Sequence, residues 1–166
     1  MKVLFAPWRK KYVKGASKPK QPKECVFCKD INSKSDQENF VLARYKTCFA
    51  VLNLYPYSCG HLMIIPHRHV AELTSLTEEE LVELIKITTA ATKIIKESLG
   101  AHGINVGMNI GEYSGAGIPD HLHMHALPRW SGDTGFLCSI FDTKVASVDL
   151  NIIYEKLKPQ FEVLKP

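Results

Sequence analysis

Asp120-His121-Leu122-His123-Met124-His125-Ala126-Leu127-Pro128-Arg129-Trp130 sets three histidines in strict alternation with Leu122, Met124 and Ala126. A β-strand sends successive side chains to opposite faces. A period of two therefore puts the histidines on one face and the apolar residues on the other. A helix would scatter the same residues around its circumference. The stretch is predicted to be a strand with Leu122, Met124 and Ala126 toward the core. The histidine face must then look at solvent, a metal or a substrate. On a strand His121 and His125 would stand roughly 13 Å apart, at about 3.3 Å per residue. Zinc holds nitrogen at about 2.0–2.1 Å, so no single ion reaches both ends of the row. The three rings must divide their work. An exposed face that merely happens to carry histidine accounts poorly for three in alternation in a chain that has seven.

Length and composition bound what surrounds this strand. The chain has 166 residues, 45% hydrophobic and 23% charged, which suits one soluble domain with a real core. The net charge is +4. Part of that excess gathers in Arg9, Lys10, Lys11, Lys14, Lys18, Lys20 and Lys23. No RNA-binding signature accompanies them, so they read as a solvated arm, and no nucleic-acid partner is expected. No run approaches the length of a membrane span, and Met1 to Trp8 is too short an apolar run for a signal peptide. A cytoplasmic protein without a membrane partner is expected. Five cysteines then read as thiols or metal ligands.

Residues 1–24, with Pro7, Pro19 and Pro22 among the lysines, read as an N-terminal arm, and residues 25–166 as a single domain. Cys25-Val26-Phe27-Cys28 opens the domain. C-x-x-C is a redox pair when it lies between a strand and a helix, and half of a tetrahedral zinc site elsewhere. Here a proline-rich arm precedes it, and no second C-x-x-C exists, so further ligands would be histidines. The bland alternative is two ordinary thiols in a turn. Strands are predicted at 39–44, 47–54, 61–66 and 104–110, with a short helical stretch around Val70 to Leu73. Thr77-Glu78-Glu79-Glu80 is a capping box, and Leu81, Leu84, Ile85, Thr88, Ala91, Ile95 and Leu99 recur at helical spacing up to Gly100. This is the main helix, about 77–99. A glycine-rich loop, residues 111–119, delivers the chain directly into the histidines. Glycine lets backbone approach a ligand closely, and its amides can bind phosphate oxygens. Residues 131–147, with Gly132 and Gly135, read as a loop with or without a short strand, and a last helix is expected from about Val148 to Leu157 or beyond, with Asp149 near its start.

A phosphate-cradling loop beside a row of imidazoles suits phosphoryl or nucleotidyl transfer. Imidazole is largely unprotonated near neutral pH and attacks phosphorus through one nitrogen when an acceptor holds the other as N–H. No G-x-x-x-x-G-K-[ST] is present, so this is not a P-loop enzyme. A catalytic zinc hydrolase is the rival reading, but there is no H-E-x-x-H, and Glu112 and Asp120 are the only carboxylates near the row.

His121-Leu122-His123-Met124-His125-Ala126-Leu127 resembles the signature of the histidine triad (HIT) superfamily. Asn53, eight residues before His61 in Gly60-His61-Leu62-Met63-Ile64-Ile65-Pro66, supports the resemblance. Phe5-Ala6-Pro7-Trp8-Arg9, Gly115-Ala116-Gly117-Ile118-Pro119-Asp120 and Pro128-Arg129-Trp130 are most similar to the branch that contains diadenosine-tetraphosphate phosphorylases. The resemblance covers roughly residues 25–130. It implies an α+β fold, an antiparallel sheet of about five strands with the main helix packed on it, in a homodimer. It implies that His123 is the nucleophile and forms a nucleotidyl-histidine. His125 would bind the α-phosphate or bridging oxygen and help the leaving group. His121 would orient the strand end, with its carbonyl on the far N–H of His123. Asn53 would meet the ribose, and Asn109 with the backbone of Gly115, Gly117 and Ile118 would meet phosphate. Some members hold a structural zinc, here through Cys25, Cys28, His69 and His121, with His69 preferred over His67. Gly117 and Ile118 stand where simple hydrolases of the family carry polar residues, and His125 stands where some transferases carry glutamine. The resemblance thus implies an enzyme acting on dinucleoside polyphosphates or related adenosine nucleotides, without an organic cofactor. The alternatives are a zinc-stabilised nucleotide-binding module and a hydrolase of nucleoside phosphoramidate-type conjugates.

Overall fold

A computed structural model describes residues 24–133 and 149–164. The expected arm, but for its last residue, and most of the 131–147 loop lie outside them. The elements are α1 (Val26–Asn32), β1 (Val41–Arg44), β2 (Cys48–Leu52), β3 (Leu62–Pro66), α2 (Glu78–Leu99), β4 (Gly103–Gly107), β5 (Met124–Arg129) and α3 (Leu150–Glu162). The strands form one sheet in the order β1-β2-β3-β5-β4. Every neighbouring pair is antiparallel. This is the α+β architecture expected.

Alternation along the central strands explains why their sequences are apolar throughout. Ala50, Leu52, Leu62 and Ile64 enter a core shared with Leu84, Ile87, Ala91 and Ile95 of α2 and Leu157 and Phe161 of α3. Phe49, Val51, Met63 and Ile65 enter a smaller core on the other face, closed by Phe27 of α1. Both faces of β2 and β3 are therefore covered. Leu122 and Ala126 join the first core and Met124 packs against it, as the alternation of the histidine stretch predicts. The strand itself begins at Met124, later than expected. Ahead of it, the Leu122 amide donates to the Val70 carbonyl at 2.7 Å. β4 ends at Gly107 rather than 110, and the turn expected around Val70 to Leu73 is a 3-10 turn at Leu73–Ser75.

The capping box on α2 is formed. The Glu80 amide donates to the Thr77 hydroxyl and the Thr77 amide to the Glu80 carboxylate, at 3.3 and 2.7 Å. Gly100 ends the helix at φ 64°. The Arg68 guanidinium forks onto Glu80, and with the bonds from Thr77 it pulls that carboxyl down to about 2 against the cost of burial. Two members of the predicted apolar stripe are corrected. Leu81 and Ile85 stand 36% and 54% exposed, whereas Glu83 is buried. The helix phase follows Leu84, Ile87, Ala91 and Ile95, and that phase swings Glu83 in toward the turn between β1 and β2.

Glu83 closes that turn. Its carboxylate accepts from the Lys46 amide at 3.2 Å, the Thr47 amide and hydroxyl at 2.6 Å each, and the Cys48 amide at 3.0 Å. Burial alone would raise the Glu83 carboxyl, but these donors outweigh it and hold it below its ordinary value of 4.5. Glu83→Ala strands several donors at once and is expected to lower stability by about 3 kcal/mol, read from the urea midpoint. The sign with pH follows. The carboxylate's contribution is present above the ordinary carboxyl range and drains away as pH falls through the depressed folded value. The variant should therefore lose less stability than the wild type on acidification below 4.5.

α1 was not expected. Seven residues carry too short an apolar pattern to announce a helix, and its stability is tertiary. Phe27 is buried beneath it. At its C-terminal end Arg44 donates to the carbonyls of Asp30, Ile31 and Ser33 and pairs with Asp36. A guanidinium there satisfies carbonyls the helix leaves open and meets the negative end of its dipole. Asp149 caps α3 by accepting from the Asn151 amide at 2.7 Å, as expected. Among the described residues no helix is long and apolar enough to cross a membrane.

Candidate active site and metal centre

The register of β3 against β5 builds the site. Met63 lies opposite His125 and Leu62 opposite Ala126, so His61 at the start of β3 comes beside the histidine row. His121 and His123 are buried, not open to solvent, because Phe27 of α1 lies on both rings with centroids 5.5 and 5.2 Å away. His123 and His125 meet edge to face at 4.9 Å, and His125 and His61 are 5.0 Å apart.

Hydrogen bonds assign each ring its tautomer. His123 Nδ1 lies 2.8 Å from the His121 carbonyl, which can only accept. The proton of His123 is therefore on Nδ1, and Nε2 keeps its lone pair. His61 is held the opposite way. The Tyr57 amide donates to His61 Nδ1 at 3.1 Å, so that nitrogen is unprotonated and the proton is on Nε2. His61 Nε2 lies 2.9 Å from His125 Nδ1 and donates to it. His125 is left with its proton on Nε2. Two adjacent imidazoles thus present complementary atoms, a bare nitrogen on His123 and an N–H on His125. Burial lowers the His123 pKa below its ordinary value and outweighs the bond to the His121 carbonyl, which raises it. Burial and then the neighbouring His123 bring His125 down to about 4. Both rings are neutral at pH 7.

Of the expected nucleotide contacts, two are drawn to this face. Asn53 lies with its side-chain amide 3.3 Å from His61 Nδ1, and its carbonyl oxygen accepts from the Tyr55 amide at 2.9 Å. Ile118 packs on the core that contains Phe27 and Met63. Asn109, Gly115 and Gly117 lie on the connection between β4 and β5, where Gly115 takes a φ of 90°. His61 is a residue of this candidate site that the alternation pattern alone misses. Its signal was the Gly60-His61 start of a strand eight residues after Asn53, but only the strand register shows that its ring meets His125. Gly60 is itself constrained. A Cβ there would sit 2.3 Å from Leu99 Cδ1, at a φ of 72°.

Cys25, Cys28, His69 and His121 converge at the other end of the row, with one ligand atom from each lying within 4.8 Å of all the others. Cys25 Sγ is 3.4 Å from His121 Nδ1, and Cys28 Sγ is 3.3 Å from His69 Nδ1 and 3.7 Å from His121 Nδ1. Tetrahedral zinc with bonds of about 2.0–2.3 Å has edges of about 3.3–3.8 Å, and these three separations match them. The far nitrogen of the His121 ring is also engaged in a way that suits a metal. His121 Nε2 donates to the Pro66 carbonyl at 2.9 Å, which leaves Nδ1 free for the metal. His67 points elsewhere: it reaches the Tyr45 carbonyl and stacks on Phe49. These four residues could hold a metal ion, and His125 takes no part, as the span of the row requires.

The profile of the HIT domain matches residues 23–132. The chain is 42% identical over 146 residues to an AP-4-A phosphorylase of Mycobacterium tuberculosis, covering 86% of this chain and 75% of that protein. A hypothetical histidine triad nucleotide-binding protein from Sulfolobus tokodaii superposes with a TM-score of 0.67 at 27% identity, over 82% of this chain and 91% of the other. A zinc-bound histidine triad family protein from Mycobacterium smegmatis superposes with a TM-score of 0.68 at 24% identity, over 83% and 93%.

Proposed function

The chain belongs to the HIT family, and from that premise we propose that it is a nucleotidyl-transferring phosphorylase of dinucleoside polyphosphates such as diadenosine tetraphosphate. The observation that carries the proposal is the pair of complementary tautomers on His123 and His125. His123 Nε2 attacks the α-phosphorus, a P–N bond forms, and the bond to the bridging oxygen breaks. His125 Nε2–H stands on that oxygen as negative charge develops. Diadenosine tetraphosphate then releases ATP and leaves AMP on His123. Inorganic phosphate attacks the intermediate and frees ADP. The similarity to a phosphorylase favours phosphate over water as acceptor. Asn53 serves the ribose, and the 111–119 loop with Asn109 serves the phosphates.

The Cys25, Cys28, His69 and His121 centre is proposed as a structural zinc site, since four protein donors close a tetrahedron and leave no position for substrate. When bound, the ion would serve as a cross-link between α1 and the histidine row. A homodimer is proposed as well. Among the described residues no strand lies beyond β4 at its end of the sheet, Asn105, Val106 and Gly107 are exposed there, and such an edge is a surface for another strand.

The test is incubation with diadenosine tetraphosphate, with and without inorganic phosphate, followed by product chromatography. ADP and ATP appearing only with phosphate is the expected result. AMP and ATP without phosphate would make it a hydrolase. Adenosine nucleotides bound without any product would leave the binding-module alternative.

A further inference from the structure

The loop after Asn53 carries aromatic surface that the fold does not use. Tyr55 is 85% exposed and Tyr57 45% exposed. Exposed aromatic surface beside a polar site is a mark of ligand contact. Tyr57 is also held in place. Its ring stacks on His61 at 5.1 Å and 28°, its centroid is 6.4 Å from His125, and its own amide is bonded to His61. The rings therefore form a sequence: Phe27, His123, His125, His61, Tyr57. In an in-line displacement the leaving oxygen departs on the side of phosphorus away from the nucleophile. Beyond His123 in this sequence lie His125, His61 and then Tyr57.

Resting on the phosphorylase reading, we propose that the open face of Tyr57 is the stacking platform for the base of the leaving nucleotide. The site would then select substrates that carry a nucleoside at both ends of the polyphosphate. A stack reads the flat face of a base rather than its edge, so the platform favours a second nucleoside without choosing among bases. One face of the ring is already fixed on His61, so little order is lost when a base lands on the other.

The experiment is calorimetric binding in the full-length His123→Ala variant, which holds nucleotides without turning them over. Diadenosine tetraphosphate is compared with adenosine 5′-tetraphosphate, which lacks only the second nucleoside. With Tyr57 intact, the dinucleotide should bind about 10-fold more tightly, the scale of one base stack. Tyr57→Ala should bring the two dissociation constants together, and Tyr57→Phe should restore the difference. A preference that survives Tyr57→Ala overturns the proposal. So does equal weakening of both nucleotides, which would mean that Tyr57 supports only His61 or the transferred end. No preference with Tyr57 in place overturns it too. The phosphorylase reading fails separately, through absence of phosphate-dependent ADP from the wild-type enzyme.

Discussion

His123→Ala is expected to lower kcat for diadenosine tetraphosphate by at least about 10⁴-fold, the scale seen when a covalent nucleophile is removed. The structure explains why no neighbour replaces it. His125 faces the substrate with an N–H, because His61 occupies its other nitrogen. His121 has one nitrogen on the Pro66 carbonyl and the other among the cysteine sulfurs. Neither can offer a lone pair to phosphorus without giving up its present bonds. The His123 ring is buried against Phe27, so its removal should lower Tm by several degrees, while the chain still folds and nucleotide binding persists. Rapid-quench analysis of radiolabelled protein should find nucleotide on the wild-type chain and none on the variant. Turnover within tenfold of wild type would show that another group attacks.

The second large effect concerns stability. Replacing both Cys25 and Cys28 by serine is expected to abolish metal content and to cost about 4 kcal/mol, or roughly 10 °C in Tm for a chain of this length. The wild-type protein should carry one zinc per chain by elemental analysis, and a chelator should reproduce the shift. The order of events separates a structural ion from a catalytic one. A structural ion implies that loss of activity follows loss of stability, since Phe27 and His121 settle the nucleophile only while α1 is docked. Activity lost at unchanged Tm would point to an ion on the reaction path. Metal-free protein with full stability would remove the zinc proposal.

Local patterning made a large part of this molecule legible. The alternation of His121, His123 and His125 with apolar residues is a short-range property, and it predicted which side chains enter the main core. Thr77, Glu80 and Gly100 are likewise local signals, and the helix between them begins and ends where they stand. What escaped depends on partners distant in the chain. α1 is stabilised by Arg44, which lies beyond its end, and by a core from the strands. Glu83 is turned inward because a strand turn needs an acceptor, which no periodicity of α2 reveals. His61 matters because β3 and β5, far apart in sequence, pair in one register out of several. The tautomers of His123 and His125 depend on a carbonyl and an amide, and backbone atoms leave no mark in the identity of a residue.

The convergence of Cys25 and His121 has a further meaning in terms of chain statistics. The two residues are 96 positions apart in sequence. In an unfolded chain, drawing such a pair together sacrifices loop-closure entropy of about 4.5 kcal/mol. In the native chain the sheet has already brought them to 3.4 Å. A metal ion that binds all four donors therefore meets two very different hosts, and closure alone separates its affinity for them by about three powers of ten. The centre would in this sense be a detector of the completed fold: it would coordinate an ion tightly only when strand pairing across most of the domain is correct.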